Sequence, residues 1–465
     1  KEKKKPEEIA EHFYKLDKEY LKKFPIDYSL FTSTHTPNHK RVVQEMFLQL
    51  LEDGYIQTQK TEQLYSQKSK RFLQDRYVEG ECPYCHSKDA RGDQCESCGR
   101  SLDALELINP VSKIDQSELM KKKTENYFLD LSKLSKAVEK WLKSQKDMRP
   151  WVKAEALGWI KEGLLPRSIT RDIDYGVSLP ISKIPSDKKI ENIKNKKFYV
   201  WFEAVIGYLS AATEYSKNVK KPSLWKDFFY NKDAETYYFV GQDNLVFHTI
   251  NWPAQLAAFD SKINLPTNVF VNKFLLLEGE KMSKSLGNAI DPITITEKYG
   301  VDAFRYFLLR EVPFGLDGNF SYTALENRIN SDLGNDLGNL LHRTLSMTEK
   351  YFGGDIPEKN SDCKCANPLL DMVDSITDQV DKHMNNCQFS LALEDIWQFV
   401  RSANKYVEDS KPWVLAKDET RKDELSATLY NLSESIRIIS ILISPVMPDT
   451  SENIFTQLGI AENEQ

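Results

Sequence analysis

Two lysines on a glycine-bracketed loop are the residues of this sequence most suggestive of chemistry. Lys281 and Lys284 stand three residues apart in the stretch GEKMSKSLGN, which runs from Gly279 to Asn288. Lysine ammonium groups are compact, mobile charges that suit phosphate oxygens, and glycines let a backbone close over a ligand. The stretch therefore predicts a loop that contacts a nucleoside triphosphate, although an arbitrary basic pair at this spacing is more often a solvated turn.

Four cysteines form a second group with chemical meaning. Cys82 and Cys85 make one C-x-x-C pair, and Cys95 and Cys98 make another after nine intervening residues. This spacing indicates one tetrahedral zinc site. Two disulfides are the alternative, which the absence of a secretory signal disfavours. Because four thiolates fill the coordination shell of zinc, we expect one structural ion without a metal-bound water.

The composition is that of a globular protein with several domains. The chain has 465 residues, of which 40% are hydrophobic and 28% charged, and its net charge is -6. No apolar run reaches the roughly 18 residues of a membrane span, so the cytoplasm is the expected compartment. The acidic balance argues against non-specific binding of nucleic acid and leaves room for a local basic face.

The middle of the chain alternates between strand and helix signals. Short β-rich runs occur at 198–202, 236–240 and 269–271, and a helical pattern covers 247–259 between the last two. Such alternation predicts an α/β fold with a parallel, doubly wound sheet.

Both ends of the chain have helical periodicity. Apolar residues recur at helical spacing over 7–24 and 38–53. From about Leu325 the helical pattern is nearly continuous, and it includes 388–408 and 425–444. A helix bundle is therefore predicted after the α/β part.

With the lysine loop, the cysteine pairs and the helical C-terminal part together, the sequence resembles the methionyl-tRNA synthetase family, a class I aminoacyl-tRNA synthetase family, over almost its whole length. The resemblance implies a Rossmann-like catalytic domain, a connective insertion with the zinc knuckle and a helical anticodon-binding domain. The implied segments are 1–34 for the remainder of the first catalytic half, 35–198 for the insertion with its knuckle at 82–98, 199–273 for the second catalytic half, 274–330 for the lysine loop and a stem-contact region, and 331–465 for the anticodon-binding bundle.

The resemblance also implies a methionine pocket. The segment FYVWFEAVIGY, residues 198–208, is similar to the family's pocket segment, in which Trp201, Ala204 and Tyr208 would line an apolar cleft for the thioether. His248 would lie at its base. Contacts between sulfur and aromatic rings are favourable. An aromatic strand or a lone histidine on a helix is otherwise commonly core, so these roles depend on the resemblance.

ATP contacts follow from the same resemblance. Asp243 would accept hydrogen bonds from the ribose hydroxyls, and Gly241 would permit close backbone approach. Val271 would back the adenine. Lys284 would contact the pyrophosphate as a catalytic residue, with Lys281 supporting the loop, and Mg²⁺ would accompany ATP.

Three residues of the helical part resemble the family's anticodon readers. Asn339 and Arg343 lie one turn apart, so they share a helix face. Both side chains can hydrogen-bond to bases, and Trp413 offers a flat ring for base stacking. Individually, these residues could be a surface pair and a buried tryptophan.

Two departures from the family pattern bear on the catalytic part. The sequence has no His-x-Gly-His motif, and His35 and His39 in HTPNH have no glycine between them. We therefore expect that the first half of the catalytic sheet is left off and that a separate N-terminal half could complement this chain, which we otherwise expect to be a monomer. Glu203 stands where the family commonly has aspartate.

The predicted function is ATP-dependent activation of methionine through methionyl-adenylate, followed by transfer to tRNA(Met). Two alternatives stay open at this point: a non-catalytic tRNA-binding fragment or subunit, and a related class I synthetase for another apolar amino acid. A purely zinc-dependent nucleic-acid binder would leave the lysine loop and the α/β core unexplained.

Overall fold

A computed structural model of the chain describes residues 5–73, 77–92, 95, 97–98, 102–282, 288–359 and 368–461. The chain forms two compact units. The first comprises 1–22 and 26–270, and the second comprises 23–25 and 271–465. None of the helices in the described ranges is long and apolar enough to cross a membrane.

The helices of the first unit flank short sheets. They are α1 (Pro6–Lys23), α2 (Pro37–Glu52), α3 (Leu131–Ser144), α4 (Pro150–Glu162), α5 (Val200–Asn218), α6 (Trp225–Tyr230) and α7 (Trp252–Phe259). A π-helical turn, Phe247–Asn251, leads directly into α7. Pro253 explains this wider turn, because its missing N–H removes a hydrogen bond from the helical ladder.

The strands of the first unit form several small sheets. They are β1 (Ile56–Ser66), β2 (Arg71–Phe72), β3 (Val78–Glu81), β4 (Ala90–Arg91), β5 (Ile108–Ser112), β6 (Leu119–Leu129), β7 (Arg167–Ser168), β8 (Thr170–Asp172), β9 (Lys196–Phe198), β10 (Tyr237–Gly241) and β11 (Asn268–Asn272). A four-stranded sheet has the order β2-β1-β6-β7, and its long β1 and β6 run antiparallel. The cysteine pairs lie around the three-stranded sheet β4-β3-β5, and β10 neighbours β11.

One strand prediction is wrong. The run 198–202 is aromatic, but β9 ends at Phe198 and α5 begins at Val200. The buried apolar residues that follow, Phe202, Val205 and Leu209, recur every three to four residues, which is the period of a helix. The strands predicted at 236–240 and 269–271 are confirmed as β10 and β11.

The second unit begins with short strands and continues as helices. Its elements are β12 (Leu275–Leu277), β13 (Glu280–Lys281), α8 (Pro292–Tyr299), α9 (Val301–Glu311), β14 (Gly318–Phe320), α10 (Tyr322–Arg328), a π-helical segment (Ile329–Gly338), α11 (Asn339–Phe352), α12 (Leu370–Asn385), α13 (Phe389–Ser410), α14 (Pro412–Leu415), α15 (Lys422–Ile443) and α16 (Pro448–Leu458). The predicted helix bundle is thus confirmed.

Helix α15 shows why this part folds as a bundle. Its buried residues Leu425, Leu429, Leu432, Ile436 and Ile439 follow the spacing of one helical stripe. They belong to the same apolar core as residues of α11, α12 and α13. Burial of this stripe, rather than helix propensity alone, holds the bundle together.

Candidate functional site

Helix α5 presents the three residues of the predicted methionine pocket on one face. Trp201, Ala204 and Tyr208 have the spacing i, i+3, i+7, which aligns side chains on a helix. Trp201 and Ala204 are half-buried, whereas Tyr208 is 38% exposed. The sequence therefore brings these side chains together through a helix and not through the predicted strand.

The Trp201 ring is held by a second aromatic residue. It stacks on Phe247 with ring centroids 4.0 Å apart and an interplanar angle of 5°. Both rings line a small cavity of about 110 Å³, and Asn251 and Gln255 form part of its wall. The buried amide oxygens of these two residues have no hydrogen-bond partner within the described ranges.

Tyr208 and His248 are joined by a hydrogen bond. The Tyr208 hydroxyl is 2.7 Å from His248 Nε2, and His248 Nδ1 is 2.9 Å from the backbone carbonyl of Asn244. Since the carbonyl only accepts, Nδ1 carries the proton and Nε2 accepts from Tyr208. Burial lowers the pKa of His248, which agrees with a neutral ring, and burial raises the pKa of Tyr208.

Two further aromatic residues complete this cluster. The Tyr208 ring meets Tyr238 edge-on at a centroid distance of 4.7 Å, and Trp252 Nε1 donates to the Tyr238 hydroxyl over 2.9 Å. Burial raises the pKa of Tyr238 to about 12. The cluster therefore consists of uncharged groups at neutral pH, an environment suited to an uncharged side chain.

A groove of about 1130 Å³ lies beside this cluster in the same unit. Its walls include Asp243, Tyr199 and Arg171, whose guanidinium lies 4.2 Å from the centre of the Tyr199 ring. Asp243 is exposed and accepts a hydrogen bond from Asn244. A Cβ at Gly241 would lie 3.0 Å from the Asp243 carboxylate, so glycine permits this close approach.

The remaining predicted ATP residues belong to the second unit, whose main segment begins within β11, at Val271. Val271 is completely buried in β11. Lys281 ends β13, where its backbone pairs with Leu276. The Lys281 side chain and the whole of Lys284 lie outside the described residues.

The four cysteines converge as the spacing predicts. Their sulfur atoms all lie within 4.8 Å of one another, with Cys82 and Cys98 4.0 Å apart and Cys85 and Cys95 3.5 Å apart. Sulfurs bound tetrahedrally to zinc at about 2.3 Å are about 3.8 Å from one another, so this group could hold one such metal ion. His86 lies on the surface beside Glu81 and is outside the group.

The predicted anticodon readers meet in the helix bundle. The Arg343 guanidinium lies 5.8 Å from the centre of the Trp413 ring, which is 36% exposed. Glu408 pairs with Arg343 at 2.7 Å. Asn339 is exposed one turn before Arg343, at the start of α11. The result is an accessible aromatic ring with adjacent hydrogen-bonding groups.

Several residues around these sites were not singled out from the sequence. Phe247 directly precedes His248, so the role predicted for the histidine could have drawn attention to it. Tyr238 is the buried residue between two exposed ones in β10, a pattern that alternation of apolar and polar residues can suggest. No sequence signal distinguishes Arg171 and Glu408 from other charged residues, which are mostly exposed. Only the structure shows that Arg171 lies over the Tyr199 ring and that Glu408 pairs with Arg343.

Comparisons with known proteins extend over nearly the whole chain. The family model "tRNA synthetases class I (M)" matches residues 1–345, and "Anticodon-binding domain of tRNA ligase" matches 368–464. The methionine–tRNA ligase of Corynebacterium jeikeium is 37% identical over 97% of this chain and 75% of its own length. That of Pyrococcus furiosus is 36% identical over 99% of this chain and 64% of its own.

The chain is also similar in structure to a solved methionyl-tRNA synthetase. Mycobacterium tuberculosis methionyl-tRNA synthetase bound by methionyl-adenylate superimposes with a TM-score of 0.76 and 29% identity, over 97% of this chain and 81% of that one. The apo form of the same synthetase superimposes with a TM-score of 0.75 and 28% identity, over 98% and 82%.

Proposed function

The chain belongs to the methionyl-tRNA synthetase family of class I tRNA synthetases, and on this premise we propose which of its residues bind methionine, ATP and tRNA(Met) in the ligase reaction. The carboxylate of methionine attacks the α-phosphorus of ATP, the bond to the β-phosphate oxygen breaks, and methionyl-adenylate and pyrophosphate form. The adenylate then passes its acyl group to the terminal adenosine of tRNA, and AMP leaves.

Trp201, Ala204, Tyr208 and His248 bind the methionine side chain. The observation that carries this assignment is the Tyr208–His248 hydrogen bond, which leaves the imidazole uncharged beside an aromatic cluster. A thioether accepts only weak hydrogen bonds and gains from contact with aromatic rings, by about 0.3 to 1.5 kcal/mol. A charged side chain in this place would be desolvated without an ionic partner, which disfavours it.

ATP binds along the groove that Asp243 lines. Its carboxylate is exposed and can accept hydrogen bonds from ribose hydroxyls, with Gly241 giving it room. For Val271 we propose the adenine-backing role that the family resemblance implies. Lys284 and Lys281 balance the charge that develops on the leaving pyrophosphate, with Mg²⁺ accompanying ATP. Positioning and charge stabilisation dominate phosphoryl-type transfer, so little covalent chemistry is required of these side chains.

Asn339, Arg343 and Trp413 bind the anticodon. The Trp413 ring is exposed enough to accept a base on its face, and the neighbouring Arg343 adds a cation and hydrogen-bond donors. Glu408 is already paired with Arg343 and orients it before tRNA arrives.

The four cysteines hold one structural zinc ion. Their sulfur separations fit a tetrahedral shell, and sulfur donors suit zinc. Cysteine pairs that bind a metal ion rather than form disulfides are typical of a reducing compartment, and we propose the cytoplasm. We further propose that the enzyme acts as a monomer.

The His-x-Gly-His motif does not occur in residues 1–465. We propose that the methionine-amine and phosphate contacts assigned to that part of the family come from a polypeptide segment outside these residues. The tRNA-binding module without catalysis is the competing function, and the anticodon cluster alone would suffice for it.

Methionine-dependent exchange of labelled pyrophosphate into ATP tests the proposal. We expect exchange when the chain is combined with an N-terminal half that carries the motif, and loss of that exchange on Lys284→Ala. Lys298→Ala is the matched control, because this lysine of α8 is exposed and lies outside the lysine loop. Exchange without the added half would refute the need for it, and tRNA binding without exchange in any combination would favour the binding module.

A further inference from the structure

A buried histidine and a buried glutamate lie directly behind the methionine pocket. His39 of α2 is 1% exposed and Glu203 of α5 is 6% exposed. His39 Nε2 is 2.5 Å from Glu203 Oε2, and His39 Nδ1 is 2.9 Å from Ser210 Oγ. One imidazole therefore spans two turns of α5.

The two faces of α5 explain what this contact can do. Glu203 and Ser210 follow Trp201 and Tyr208 by two residues each, which rotates them by about 200° around the helix. The pocket residues and the residues bound to His39 consequently occupy opposite faces. Any rotation or slide of α5 that moved Trp201 and Tyr208 would break both bonds to His39.

The hydrogen-bond directions form one consistent set. Ser210 Oγ donates to the Gly207 carbonyl, so it accepts from His39 Nδ1–H. A single further proton then lies between His39 Nε2 and Glu203 Oε2. Both ring nitrogens are used, and the imidazole has one orientation that satisfies them.

Local helix energetics do not account for Glu203. A glutamate in the first turn ordinarily favours the helix N-terminus by bonding back to the capping residue from the surface. Tyr199, which precedes α5, provides no side-chain cap, and the Glu203 carboxylate points to the buried imidazole instead. Buried ionisable pairs are often replaceable by apolar residues without loss of stability, so the position of this pair between α2 and α5 is the property to examine.

The start of α2 fixes the other end of the contact. Thr36 caps this helix by accepting a hydrogen bond from the backbone N–H of His39, and Pro37 occupies its first turn. His39 therefore projects from a helix end whose position is itself determined.

We propose that His39 and Glu203 are positioning residues that set the rotation of α5 and thereby the affinity of the pocket for methionine. This rests on the methionine site proposed above. The pair does not touch the ligand; it acts through Trp201 and Tyr208 on the opposite face.

Replacement of both residues by leucine separates positioning from stability. In His39→Leu/Glu203→Leu no buried charge is left unpaired, so we expect the urea midpoint to stay near that of the wild-type chain. Methionine affinity, measured by calorimetry, should fall about tenfold, because orientation of α5 is no longer fixed by two hydrogen bonds. His39→Gln, which keeps one donor towards Glu203, should recover part of the affinity.

The matched control is Asn38→Ala. Asn38 lies next to His39 and also bonds α5, through the carbonyl of Ser210 and the hydroxyl of Thr213. We expect its methionine affinity to stay within about twofold of wild type, since the contact to Glu203 remains. Equal losses in Asn38→Ala and the double variant, or an unchanged affinity in the double variant, would overturn the positioning role.

A second readout is independent of methionine. Nitrogen NMR of His248 reports whether Nε2 still accepts from Tyr208, and the double variant should show a mixture of tautomers. Failure of the wild-type chain to bind methionine would contradict the proposed function. The His248 spectrum would then still test whether His39 and Glu203 set the orientation of α5. An unchanged His248 spectrum in a folded double variant would contradict the positioning role. If the double variant does not fold, the His248 spectrum of His39→Gln provides the same test.

Discussion

Removal of one hydroxyl group should reveal how the pocket keeps His248 neutral. In Tyr208→Phe, the ring can remain against Tyr238, but His248 Nε2 loses the hydrogen bond that it accepts over 2.7 Å. A buried acceptor without a partner costs about 1 to 3 kcal/mol. His248 is 5% exposed but Tyr208 is 38% exposed, so partial access of water places the expected cost at about 1 to 2 kcal/mol of unfolding free energy.

The effect should depend on pH in a definite direction. Burial lowers the pKa of His248 below 6.5, so the unfolded chain takes up a proton at a higher pH than the folded chain does. The stability due to neutral His248 is therefore present above pH 6.5 and is lost as pH falls through the folded pKa. The hydrogen bond from Tyr208 favours the neutral ring, so Tyr208→Phe should raise the pKa of His248 and weaken this pH dependence.

Urea denaturation of the wild-type and variant chains at about pH 7.5 and about pH 5 measures both effects. We expect the stability difference to be larger at the higher pH, where the hydrogen bond exists. Tyr230→Phe is the matched control, because the Tyr230 hydroxyl donates to the partly exposed Asp260 over 3.1 Å. A difference no larger than that of the control, or one that grew towards acid pH, would refute the reasoning.

Three further predictions concern other parts of the molecule. Trp413→Ala should weaken tRNA(Met) binding by about 1 to 3 kcal/mol in a filter-binding assay. Trp413→Phe should keep most of the affinity because an aromatic ring remains, and equal affinities for the two variants would argue against base stacking. Cys95→Ser should reduce bound zinc from about one ion per chain in metal analysis, with a lower melting temperature, and a metal-free wild-type chain of unchanged stability would contradict this. Lys196→Met should lower the unfolding free energy by about 3 to 5 kcal/mol, because Asp172 loses its charged partner at 2.7 Å in a buried site and keeps the hydrogen bond from Thr124. Lys196→Met/Asp172→Asn should recover part of this stability in denaturation experiments, and no recovery would indicate that the pair is not the cause.

The sequence predicted the parts of the site that depend on local spacing. The cysteine pairs converge because two short loops of fixed spacing leave their sulfurs few alternatives. Trp201, Ala204 and Tyr208 were assigned from the family resemblance, and they share a face through helix α5 rather than through the predicted strand. The repeats in the helical part predicted the bundle for the same reason, since period and burial follow directly from residue order.

The aromatic run at 198–202 is the place where prediction from local composition was wrong, because α5 begins within it. Its composition favours a strand, but burial of Phe202 and Val205 towards the core decided for helix α5. Tertiary packing overrides propensity when one period allows the apolar residues to be buried and the other does not.

Contacts between distant segments were decided only in three dimensions. His39 and Glu203 are separated by 164 residues, and the sequence gives neither a reason to pair with the other. Arg343 meets Glu408, and Trp201 meets Phe247, across shorter gaps of chain. Residue types and spacing thus determined the family and the chemistry available, whereas the protonation state of His248 and the orientation of α5 depend on buried partners that only the folded chain brings within hydrogen-bonding distance.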